Sequence, residues 1–209
     1  MSNNRQNYPN NRFTTENAAV LLVDHQVGLL LGVHDIDQEM VRRNAVALAR
    51  AASVFNLPVI VTTSAEDGPN GFLLPQIKNE LSGVEIIKRS GEIDAFDSAE
   101  FAAAVKATGR NNLVIAGIST DVCVAFAAMS AIEYGYQVQA VIDASGTWSD
   151  AAQAAVIQRM GAAGITMNST VAITAELQRD WKNPTGAALA ELYSDLAIPF
   201  YGSLISLRS

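Results

Sequence analysis

Six short apolar runs, rich in β-branched residues, punctuate the chain, and between them apolar positions recur at helical spacing. The first, AAVLLVD from Ala18 to Asp24, is apolar at every position before its aspartate, which predicts a strand buried on both faces. PVIVTTS (Pro58 to Ser64), GVEIIK (Gly83 to Lys88), NLVIAG (Asn112 to Gly117), QVQAVIDA (Gln137 to Ala144) and GITMNS (Gly164 to Ser169) predict five more strands. Helical patterns fill Asp37–Asn56, Pro75–Leu81, Ser98–Thr108, Thr120–Tyr134 and Ser149–Ala163, with two further ones at Val171–Trp181 and Thr185–Leu196. Alternating strands and helices joined by right-handed crossovers predict an α/β fold. Its form is a three-layer α/β/α sandwich around a six-stranded, mostly parallel sheet. Residues 1–17 read as a polar, Asn-rich tail and residues 18–209 as a single domain without repeats or linkers.

Composition narrows the function classes. A chain of 209 residues with 49% hydrophobic and 17% charged residues has the make-up of a compact folded domain. The net charge of -7 and the absence of any Lys/Arg run argue against nucleic-acid or anionic-membrane partners. No apolar run approaches the ~20 residues that span a bilayer, and the polar start resembles no targeting segment. With one cysteine in the chain no internal disulfide forms, which fits a reducing, cytoplasmic setting.

In a parallel sheet of this kind, sites gather where the carboxyl ends of strands meet the following loops. Asp24 ends the first predicted strand, Lys88 and Arg89 end the third, and Cys123 lies just past the fourth, in the opening turn of a predicted helix. A thiol at a helix N-terminus, near a cation, is expected to favour the thiolate. Asp24 would serve as base and nearby backbone N–H groups as oxyanion donors. Two plainer readings compete: a lone cysteine that fills a core, and an Asp24 that forms a structural ion pair. Around this edge, His25, Gln26, Phe96 and Trp148 are candidate pocket residues. Neither a Walker A loop nor a G-x-G-x-x-G occurs, so nucleotide binding has little support.

LLVDHQVGLL, KRSGEIDAFD and AGISTDVCVAFAAMSAIEYGYQVQAVIDASGT together resemble the isochorismatase-like cysteine hydrolases, with the features of their YcaC-like subgroup. The resemblance runs from about Ala18 to about Trp181. It implies a triad of an acid (Asp24), a cation and a cysteine nucleophile (Cys123). The subgroup's pattern of a basic residue, x-Gly, then Ala-aromatic-Asp is met by Arg89, Gly91, Ala95, Phe96 and Asp97, which favours Arg89 over Lys88. Successive strand residues face opposite ways, so one of the two reaches the thiol. The resemblance further implies a cis peptide between Ile118 and Ser119 and an oxyanion hole built from the N–H groups of Ser119 and Cys123. It implies hydrolysis of an amide-type C–N bond in a small molecule through a thioester, and assembly into an octamer.

Family members that act on nicotinamide hold zinc through histidines after the second strand. Here that loop, TTSAEDGPNGFLLP, has none, and His25 and His34 stand nine residues apart. No metal and no cofactor is therefore expected. Isochorismate hydrolases of this fold lack the cysteine, which sets Cys123 against that reaction. Two rivals remain open: a non-catalytic binding or assembly protein of the same fold, and a flavodoxin-like FMN binder.

Overall fold

The computed structural model describes residues 12–198 and 200–207. Six strands form one sheet: β1 (Ala18–Val23), β2 (Val59–Ser64), β3 (Ile86–Arg89), β4 (Asn112–Gly117), β5 (Gln137–Val141) and β6 (Thr166–Asn168). The helices are α1 (Val27–Leu31), α2 (Gln38–Val54), α3 (Pro75–Glu80), α4 (Ala99–Ala107), α5 (Ala125–Glu133), α6 (Asp150–Ala162), α7 (Thr170–Gln178), α8 (Gly186–Leu192) and α9 (Tyr201–Ser206). The strand order is β3-β2-β1-β4-β5-β6, and every strand pairing is parallel, so the expected "mostly parallel" sheet is wholly so among the described strands.

The uniform apolarity of β1 has a direct cause. Ala18, Val20 and Leu22 face one core, shared with α2, α3, α7 and α8, while Ala19, Leu21 and Val23 face a second, shared with α4, α5 and α6. Each strand residue thus meets a helical layer on its own side, and no position is left for solvent. Phe13, in the segment expected to be a polar tail, is buried in the first core, and its N–H donates to Glu176 Oε1 at 2.9 Å. Residues 1–11 of that segment lie outside the described residues.

Side-chain caps start several helices where the sequence places them: Asp37 accepts from Met40 N, Ser98 from Phe101 N, Ser149 from Ala152 N and Ser169 from Ala172 N. Three stretches depart from the expected pattern. The end of the fifth predicted strand, Ile142–Ala144, curls into a 3-10 turn. The fourth helical segment opens with a wide π turn, Thr120–Val124, before α5 begins. Val27–Leu31, too short for a periodic signal, forms α1 directly after the first strand end. None of the described helices is long and apolar enough to cross a membrane.

Candidate active site

The strand order reverses between β1 and β4, and the crevice beyond their carboxyl ends is where a doubly wound sheet binds ligands. The two strand ends approach closely there. A methyl group at Gly117 would fall 2.2 Å from the Val23 carbonyl oxygen, so only glycine permits this spacing. Past Val23 the chain turns sharply: Asp24 has φ 56°, a left-handed conformation that Asp tolerates better than most residues, and its N–H donates to Thr62 O at 2.9 Å.

The Asp24 carboxylate is buried and accepts two hydrogen bonds from Arg89 Nη2, at 2.6 and 2.5 Å. The side chain of Arg89 is fully buried; its Nε donates to Thr62 Oγ1 at 3.0 Å and its Nη1 to the carbonyl of Glu92. Strand alternation decides between the adjacent basic residues. Lys88 points to the opposite face, 65% exposed, and pairs with Glu66 Oε2 at 2.6 Å, so it takes no part in this cluster. Burial pushes the Asp24 carboxyl above its usual range, and the Arg89 guanidinium pulls against that.

Cys123 sits in the π turn after β4, and the Ile118–Ser119 peptide that leads into the turn is cis. Val124 N–H donates to Ser119 O at 3.1 Å and Thr120 N–H to Gly146 O at 3.0 Å, which fixes the turn against both the strand and the loop after β5. The thiol lies beside the Asp24 side chain and the Ser119 backbone. Burial first, then the negative charge of Asp24, push the thiol up to about 12. This corrects the expectation of a ready-made thiolate. At neutral pH the cysteine is a thiol, next to an acid that an arginine holds in place.

Asp24, Ser119 and Cys123 form the floor of a cavity of about 300 Å³. Trp148 forms one wall, with Leu29, Val122 and Ile93, while Ser64, Ala65 and Asn70 from the loop after β2 and Gly91 and Glu92 after β3 complete the rim. Of the four candidate pocket residues, therefore, Trp148 lines the cavity and three do not. His25 is wholly buried; its Nε2 donates to Ala144 O at 2.9 Å, and burial depresses its pKa to about 4. Gln26 is a staple: its Nε2 donates to Ser64 O and Gly71 O, and its Oε1 accepts from Ser64 N. Phe96 packs edge to face on Phe101, 5.2 Å between ring centres, and beside Tyr134 and Tyr136.

Contacts absent from the sequence reading hold the tryptophan wall. Thr147 N donates to Asp35 Oδ1 and Thr147 Oγ1 to Asp121 Oδ1, both at 2.6 Å, and Asp121 belongs to the same π turn as Cys123. These partners lie 112 and 26 residues apart in the chain, so no local pattern reports them. Among the described residues, no group of three or more His, Cys, Asp or Glu side chains is placed to hold a metal ion.

Comparison with known proteins agrees with this architecture. The family model for the isochorismatase domain matches residues 18–197. "Probable hydrolase YcaC" of Escherichia coli is 46% identical over 195 residues, 93% of each chain. Its crystal structure, described as an octameric hydrolase of unknown specificity, superposes with a TM-score of 0.92 over 96% of this chain and 98% of that one. The structure of YcaC from Pseudomonas aeruginosa, described with hexane-2,5-diol and covalent acrylamide, is 44% identical, with a TM-score of 0.91 over 95% and 98% of the two chains.

Proposed function

The chain belongs to the isochorismatase family of hydrolases, and from that membership we propose that it cleaves an amide-type C–N bond in a small molecule through a thioester on Cys123. One observation carries the reading: separate strand ends bring the buried carboxylate of Asp24 and the only cysteine of the chain to one cavity, with the buried guanidinium of Arg89 held on that carboxylate. A structural ion pair would not need a thiol beside it, and a core-filling thiol would not line a cavity.

The chemistry follows from the geometry. Asp24 takes the thiol proton as Sγ attacks the substrate carbonyl carbon, so charge separation arises only when substrate is present. The oxygen becomes an oxyanion, for which the Ser119 and Cys123 N–H groups are the donors; one such donor is typically worth ~3 kcal/mol. The protonated Asp24 gives its proton to the departing nitrogen, the C–N bond breaks, and a thioester remains. Asp24 then takes a proton from water, the hydroxide adds to the thioester, and the C–S bond breaks to release the acid and restore the thiol. Arg89 cannot act as the base, since a guanidinium does not give up its proton; it holds Asp24 in place and tempers the basicity that burial confers. Acrylamide is an electrophile, and the covalent acrylamide described for a 44% identical relative fits a nucleophilic side chain in that protein.

Release of ammonia or amine from a panel of small amides tests the proposal. Cys123→Ala should lose turnover by on the order of 10^5-fold or more while its unfolding midpoint stays near that of the parent. Full activity in that variant would remove the nucleophile and the mechanism with it. By the same relatives we propose a homo-oligomer, an octamer as described for E. coli YcaC, working in the cytoplasm, where a lone thiol stays reduced. Sedimentation equilibrium that found only the 22.2 kDa chain would refute the assembly.

A further inference from the structure

Gly32 closes α1 with φ -83° and ψ -11°, a conformation open to any residue, so its backbone does not call for glycine. Its surroundings do. A methyl group at Gly32 would lie 2.5 Å from Cζ3 and 2.9 Å from Cε3 of Trp148. The indole cannot yield by moving its backbone. The segment is bolted down by His34 N to Thr147 O at 2.8 Å, Thr147 N to Asp35, and Thr147 Oγ1 to Asp121. A side chain at position 32 would therefore displace the ring, which lines the same cavity as Cys123.

The charges of the cavity complete the picture. Among the described residues that line it there is no Lys or Arg, and the two charged ones, Asp24 and Glu92, are both acidic. Arg89 beneath the floor has every nitrogen engaged: Nε with Thr62, Nη1 with the Glu92 carbonyl, Nη2 with Asp24. Lys88 faces away. A substrate carboxylate would enter a carboxylate-lined cavity with no cation to receive it, a heavy desolvation cost. An uncharged group with a flat or apolar face meets the indole, Leu29, Val122 and Ile93 instead.

We propose that Gly32 and Trp148 together set the substrate class of this site: an uncharged amide whose acyl group lies flat against the indole, Gly32 being the specificity-determining residue that keeps the ring out of its way. The proposal rests on the hydrolase reading above but is tested apart from turnover, by the rate at which the single thiol is alkylated. Cys123 Sγ displaces iodide from each reagent, forms an S–C bond and passes its proton to solvent. Iodoacetamide, iodoacetate and the planar iodoacetanilide differ in charge and face but share the leaving group. The preference of native protein for iodoacetamide over iodoacetate should exceed that of the same chain unfolded in denaturant by about tenfold or more. Native protein should also favour iodoacetanilide, and Gly32→Ala should lose about tenfold of that advantage measured relative to iodoacetamide. Trp148 emission should shift in the same variant. Equal native and unfolded ratios, or a Gly32→Ala variant with the parent's full anilide preference, would overturn the proposal. If the preferences hold and no amide is hydrolysed, the hydrolase reading fails and the binding preference stands.

Discussion

Asp24 and Cys123 are titratable neighbours lining one cavity, and their surroundings shift both. Burial raises the Asp24 carboxyl while the Arg89 guanidinium pulls against it, and burial together with Asp24 pushes the thiol up to about 12. In the mechanism we propose, Asp24 rather than a cation is the group beside the thiol, and the thiolate forms only as the carbonyl is attacked. His25 next door illustrates the opposite fate of a buried titratable group. Its neutral ring donates to Ala144 O and is wholly buried, so its pKa falls from 6.5 to about 4. Between those values the unfolded chain binds more protons than the folded one, and stability rises with pH. Acidification from 6.5 to 4 should therefore cost about 3 kcal/mol through this residue alone. Urea titrations across that range should show a steep acid loss in the parent and a visibly shallower one in His25→Gln; parallel curves would show that His25 does not govern it.

Elements deliver these groups to one place by simple rules of direction. Strand alternation on β3 sends Arg89 inward and Lys88 outward. The six strands and the end positions of Asp24 and Cys123 are legible in the sequence, whereas alternation there says only that one of the two basic residues reaches the thiol, and the choice of Arg89 rests on the family resemblance. What lay beyond reach were pairings between distant segments. Gln26 looked like a pocket residue because it neighbours Asp24, yet its amide staples Ser64 and Gly71, about 40 residues on. Phe96, a position of the pattern that carries the family resemblance, spends its ring on Phe101 and two tyrosines. The Asp35 and Asp121 bonds to Thr147 join three loops that share no periodicity. Gly117 is the element-scale counterpart of Gly32, since it sets how closely β1 and β4 approach. Gly117→Ala should press on the Val23 carbonyl, lower stability by about 1–3 kcal/mol and part Asp24 from Cys123. A chemical-denaturation midpoint equal to the parent's would mean the strands have more room than their spacing indicates.

At the scale of the whole molecule, a wholly parallel sheet covered on both faces leaves only its carboxyl edge free for chemistry, and the strand-order reversal places a crevice at that edge. The family relationship covers the same span as the folded sandwich, residues 18–197, so the site stands on a shared scaffold and its selectivity on local side chains. The net charge of -7 agrees with the acidic lining in disfavouring anionic substrates from a distance as well as at contact.

The measurement that tests the central claim most directly is the rate of Cys123 alkylation by iodoacetamide against pH, in the native protein and in Asp24→Asn. The account predicts a rate still climbing well above the free thiol's ~8.5, because the carboxylate opposes ionisation, and an inflection displaced downward in Asp24→Asn. An inflection at or below the ordinary thiol value that stays in place when Asp24 is neutralised would contradict it, since the two groups would then share no proton.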